Sequence, residues 1–110
     1  MESNIAIQQD SVLDSLVDQI KKLAKPKKIY LFGSRAKGTL LPDSDFDLML
    51  VMENGSRCRE IAQMLYKNIY GIDLPFDLVV TTEDSLRRHS ENKGLIYREV
   101  LNHGIVLYAA

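Results

Sequence analysis

Cysteine is almost missing from this chain. Cys58 stands alone, which excludes an internal disulfide and any zinc cage built on several thiolates. It reads as a small packed residue on a helix rather than a nucleophile. Histidine is scarce too: His89 and His103 lie far apart and lack metal-ligand spacing, so each reads as a surface or cap residue. No Ser–His–Asp or Cys–His set for nucleophilic catalysis is present. Neither sign of charge dominates, and a net charge of −1 gives no overall field for holding a long nucleic acid. No apolar run approaches membrane-spanning length and no signal-peptide pattern opens the chain, so the cytoplasm is the expected compartment. Repeats, low-complexity tracts and linkers are absent as well.

What is there fits an ordinary globular protein, with 45% apolar and 26% charged residues among 110. That length makes one domain, 1–110, with a real core but no second substrate-binding domain. The charge is uneven. Residues 1–40 carry a formal +3 and residues 41–80 a formal −4, so the middle of the chain suits recruitment of a cation.

After a loose lead-in over 1–10, Val12, Leu13, Leu16, Val17, Ile20 and Leu23 recur at helical spacing. They predict a helix from Ser11 to about Ala24, capped by Asp10 or Ser11 and ended by Pro26. Lys21, Lys22, Lys25, Lys27 and Lys28 cluster at its end, where solvated cations suit the helix dipole better than they make a nucleic-acid patch. Ile29–Phe32 and Leu48–Met52 are short apolar runs bounded by turn signals and read as buried strands. Asn54-Gly55-Ser56 predicts a turn and a cap for a helix carrying Ile61, Ala62, Leu65 and Ile69 and stopping at Gly71. Phe76–Val80 reads as a third strand. Thr81 and Asp84 stand at capping-box spacing for a short helix. Gly94 precedes a last helix of about Leu95–Leu101, Gly104 ends it, and Ile105–Tyr108 reads as a terminal strand. The pattern is that of one α/β unit.

The most informative stretch lies between the first two strands. Gly33-Ser34-Arg35-Ala36-Lys37-Gly38 is followed by Asp43-Ser44-Asp45-Phe46-Asp47-Leu48. Gly33 can take backbone angles barred to other residues and lets a polyphosphate approach the main chain. If Ser34–Lys37 begin a helix, its free N–H groups form an anion site. Asp45 and Asp47, two residues apart on a strand, share a face. Such carboxylates beside a phosphate-binding turn suit metal-dependent phosphoryl or nucleotidyl transfer.

Two near-misses fail. Gly33 to Gly38 matches P-loop spacing, but Thr39 and Leu40 follow, so the required lysine is missing. Asp43, Asp45 and Asp47 imitate a calcium loop, but Leu48 and Asn54 stand where an EF-hand needs Gly and Glu. Asp77 interrupts an apolar strand, where an unpaired charge is costly. It reads either as a water-facing residue of an edge strand or as a third member of the Asp45–Asp47 cluster. Grouped carboxylates call for a cation, and Mg²⁺ prefers such oxygen ligands. Glu83 and Asp84 are rivals for the third place, though their cap position accounts for them. Arg35 suits a phosphate contact; Lys37 reads equally as a contact or as a solvated charge.

Taken together, Gly33-Ser34, Ser44-Asp45-Phe46-Asp47-Leu48 and the later strand residue Asp77 resemble the minimal nucleotidyltransferases (MNT) of the DNA-polymerase-β-like superfamily. The likeness runs from about Lys28 to Tyr108, with its motifs within 28–80. It implies an α+β fold, a mixed sheet flanked by helices, with the Gly33-Ser34-Arg35 turn holding a triphosphate. It also implies that Asp45, Asp47 and Asp77 bind two Mg²⁺ ions and that Asp77 helps activate an attacking hydroxyl. Lys37 departs from the arginine frequent there, which weakens one phosphate contact at most. Many relatives act as antitoxins beside a HEPN-domain ribonuclease toxin and transfer AMP to it from ATP, with tyrosine as acceptor. The short chain agrees with an acceptor supplied by a partner protein. Two alternatives stay open: adenylylation of a small hydroxyl compound, as in aminoglycoside nucleotidyltransferases, and a non-catalytic antitoxin that acts by binding.

Overall fold

Alternating apolar residues in the strands and helical-period stripes in the helices build a sheet covered on both faces. The computed structural model describes residues 4–33, 46–89 and 100–110. Their order is α1 (Asn4–Ala24), β1 (Lys28–Phe32), β2 (Phe46–Met52), α2 (Cys58–Asn68), β3 (Phe76–Thr82), α3 (Glu83–His89) and β4 (Ile105–Ala109). Residues 100–103, just before β4, are also helical. The sheet order is β3-β2-β1-β4. β1 runs antiparallel to both its neighbours, whereas β2 and β3 are parallel and joined through α2. This is the mixed, helix-flanked α+β sheet that the family resemblance implies.

The two faces follow from strand alternation. Ile29 and Leu31 of β1, Phe46, Leu48, Leu50 and Met52 of β2, and Leu78 of β3 pack with Leu16 and Ile20 of α1 and Leu65 of α2. Leu16, Ile20, Leu48, Leu50 and Leu65 have no exposed surface, and each such side chain stabilises the fold by roughly 1.5–3 kcal/mol. On the other face Tyr30, Met49 and Val51 meet Leu86 of α3 and Val100, with Phe32 and Val79 alongside. No helix among the described residues is long and apolar enough to cross a membrane.

Several boundaries differ from the sequence expectation. α1 begins at Asn4, so the lead-in is mostly helix and Asp10 and Ser11 are internal to it rather than caps. Leu23, expected on the apolar stripe, is 39% exposed. α1 ends at Ala24; Lys25 turns into the left-handed region at φ 52° and Pro26 is buried beyond it. Ser56 does not cap α2: its hydroxyl donates to the Glu53 carbonyl at 2.7 Å, and Arg57 takes the cap position without a side-chain bond. Nor does Thr81 cap α3. Thr81 is buried, and it is Thr82 whose hydroxyl accepts the Ser85 N–H at 3.2 Å. Of the predicted last helix, residues 95–99 lie outside the described residues.

Candidate functional site

β2 sits beside β1 on one side and β3 on the other, and its second residue is Asp47. Across the antiparallel pair Asp47 is opposite Phe32; across the parallel pair it is in register with Asp77. Register partners in adjacent strands point to the same face about 4.8 Å apart. Asp47 and Asp77 therefore stand side by side on the face that carries Met49, Val51 and Val79. The pairing is fixed from its first residues, because the Phe46 N–H donates to the Pro75 carbonyl at 3.0 Å. Asp47 is partly buried and Asp77 exposed. The sequence left open whether Asp77 is a water-facing edge residue or a member of the Asp45–Asp47 cluster; it is exposed and stands beside Asp47, while Asp45 lies outside the described residues.

Gly33 follows the last residue of β1 and closes the site from that side. Its φ is +81°, in the region that favours glycine. A Cβ built there would collide with the Asp47 carboxylate, meeting Oδ2 first and Cγ at 3.3 Å. The missing side chain is thus the space that Asp47 occupies. Two negative groups on adjacent strands favour a cation or a cationic ligand between them.

The residues brought together are Gly33, Asp47 and Asp77. Asp45, Ser34 and Arg35 lie outside the described residues, as does Lys37. Among the described residues no group of three or more His, Cys, Asp or Glu side chains gathers as a metal cage; the triad read from the sequence needs Asp45 for its third member. Glu83 and Asp84 are elsewhere. Asp84, the second residue of α3, has its own N–H bonded to Asn54 Oδ1 at 2.8 Å, with Arg87 and Arg88 at 3.6 Å from its carboxylate. Glu83 lines a cavity of about 350 Å³ with Lys28, Tyr30, Val51, Leu86, Arg87 and Leu101. That cavity touches neither Asp47 nor Asp77. His103 is an exposed helical residue before β4.

One contact at the site had no signal in the sequence. The Leu78 N–H donates to the hydroxyl of Tyr66 on α2 at 2.7 Å, and the Tyr66 ring stacks on Phe76 with centroids 5.7 Å apart. Both neighbours of Asp77 are thereby tied to one side chain.

Gly33 at the end of β1 thus stands beside a carboxylate on β2, with a second carboxylate in register on β3. The chain belongs to the nucleotidyltransferase domain family, whose family model matches residues 13–107. Among solved structures it is similar to a candidate nucleotidyltransferase from Sulfolobus solfataricus, at 20% identity and TM-score 0.64, over 98% of this chain and 90% of that one. It is also similar to a toxin–antitoxin with AMP-PNP, at 26% identity and TM-score 0.56, over 88% of this chain and 73% of that one. A third likeness, of fold alone, is to a complex of tri-AMPylated HEPN toxin with MNT antitoxin from Shewanella oneidensis, at 22% identity and TM-score 0.50, over 96% and 73%. No curated protein matches the chain. The matches agree with the minimal-nucleotidyltransferase resemblance carried by the Gly-Ser and Asp motifs.

Proposed function

We propose that residues 1–110 form one Mg²⁺-dependent nucleotidyltransferase domain that moves AMP from ATP to a hydroxyl of a partner protein. The partner we propose is the HEPN toxin of a toxin–antitoxin pair, in the cytoplasm, with this chain as the antitoxin. The observation that carries the reading is the register of Asp47 with Asp77, beside a glycine that leaves room for the Asp47 carboxylate. Family membership and the likeness to a toxin–antitoxin with AMP-PNP support it.

The residues fit the metal by their chemistry: carboxylate oxygens from two adjacent strands are the hard donors Mg²⁺ takes. Asp47 and Asp77, with Asp45, would hold the two ions. Bound Mg²⁺ would offset phosphate charge and make the acceptor hydroxyl easier to deprotonate. Gly33, Ser34 and Arg35 would hold the triphosphate, the first through an open main chain and the last through its guanidinium. Asp77, which is exposed, would meet an acceptor brought from outside and take its proton. The acceptor oxygen forms a bond to the α-phosphorus, the α–β phosphoanhydride bond breaks, and pyrophosphate leaves.

The test is AMP transfer from α-labelled ATP to a co-expressed HEPN protein, with growth rescue read in parallel. Wild type should label the toxin and rescue growth, and the Asp45→Asn/Asp47→Asn variant should do neither. Rescue by that variant with unmodified toxin would replace catalysis with neutralisation by contact. Labelling of a small hydroxyl compound instead of the protein would move the acceptor.

A further inference from the structure

Among the described residues β3 is an edge strand, and an edge strand holds its ends less firmly than a central one. Asp77 is its second residue, and Leu78 beside it has its N–H turned away from β2. That donor is not left to water: Tyr66 accepts it at 2.7 Å. The same ring lies 5.7 Å from that of Phe76 at 11° between planes, an offset stack. One side chain from α2 therefore grips the residue before Asp77 by its ring and the residue after it by its hydroxyl. Tyr66 is itself 47% exposed, so burial alone does not account for an aromatic residue there.

We infer that Tyr66 is a positioning residue. It holds the β3 segment that carries Asp77 in register with Asp47, and it acts on the transfer through Asp77 without touching substrate. The inference rests on the proposed reaction for its kinetic consequence but not for its structural one, so two measurements are needed. In Tyr66→Phe the stack survives and only the acceptor of the Leu78 N–H is lost.

Amide exchange at Asp77 and Leu78 should then quicken by about two- to tenfold, the net worth of one such bond, with exchange in β1 unchanged. In AMP transfer kcat should fall by a similar factor of roughly two to ten, while KM for ATP holds, because the proposed triphosphate-binding residues follow β1 and not β3. Tyr66→Ala, which also removes the stack, should lower kcat further, and Phe76→Leu should produce an intermediate loss. Unchanged exchange at Asp77 and Leu78 in Tyr66→Phe overturns the clamp. Faster exchange with unchanged kcat overturns the positioning role. A parallel rise in KM with constant kcat overturns it as well, since that would mean lost binding. If wild type transfers no AMP at all, the proposed function fails, and the exchange measurement still decides the clamp.

Discussion

Gly33→Ala is the sharpest perturbation of the site, because the structure contains its control. The alanine would pay twice: once for φ +81° and once for the clash of its Cβ with Asp47. A left-handed backbone costs an L-residue about 1–2 kcal/mol, and forcing a packed neighbour to move costs about 1–3 kcal/mol. Gly55 has φ +91° with nothing within 4 Å of its missing Cβ, so Gly55→Ala pays the first cost alone. We expect Gly55→Ala to lower stability by about 1–2 kcal/mol and leave transfer intact. Gly33→Ala should lose roughly 2–5 kcal/mol. At about 4–8 °C per kcal/mol in a domain of this size, its melting temperature should fall well below that of the control. Its transfer rate should drop on the order of a hundredfold, because Asp47 can escape only by leaving the place it holds beside Asp77. Adding Asp47→Ala should relieve the clash, so that the double variant melts above Gly33→Ala. Equal melting of the two single alanine variants, with full activity in Gly33→Ala, would refute the close packing of Gly33 on Asp47.

Asp77→Ala should reduce kcat by roughly 10²–10⁴ with stability changed by no more than about 0.5 kcal/mol, since the residue is exposed; Glu83→Ala should leave transfer near wild type, and the opposite pattern would shift the third carboxylate to Glu83. Thr82→Ala removes the acceptor of the Ser85 N–H and should cost about 0.5–2 kcal/mol in a thermal melt, whereas Thr81→Ser should leave that cap intact. Burial pushes the Cys58 thiol up from its ordinary value, so alkylation by iodoacetamide should rise with pH along a curve displaced to higher pH than that of a free thiol. The folded state then keeps its proton longer than the unfolded one, and this contribution to stability is lost as pH rises above the unfolded value. A Cys58 that alkylates as fast at neutral pH as an unstructured peptide would contradict its partial burial.

All four strands and α2 were legible because each is a short apolar run or a helical stripe closed by turn signals, but α2 ends at Asn68 and not at Gly71, with Ile69 already extended. The caps were not legible. Asp10 and Ser11 have the right chemistry for a helix start, yet α1 runs through them, because a cap signal states what a helix end tolerates and not where the helix must end. At β3 the strand continued two residues further than its apolar run, to Thr82. Alternation then sent Thr81 inward and left Thr82 to cap. For the site, spacing alone paired Asp45 with Asp47, and Asp45 lies outside the described residues. Placing Asp77 next to Asp47 required the parallel register of β2 with β3, a long-range choice that no local pattern encodes. The Tyr66–Leu78 bond is of the same kind, joining residues whose partnership exists only after α2 has folded back on the sheet.

The strand order also sets a sequence of events in time. β1, β2 and β3 are made one after another, but β4 pairs with β1 across most of the chain, Lys28 with Ala109. Loop closure of that length is slow relative to the β2–α2–β3 unit. During synthesis the outer edge of β1 should stay unpaired after the carboxylate strands have met, leaving Ile29 and Tyr30 open to wrong strand partners. Pulse-labelled exchange during refolding should show Leu48 and Leu50 protected before Val106 and Tyr108. If β4 gains protection first, the nucleus lies on the other side of the sheet.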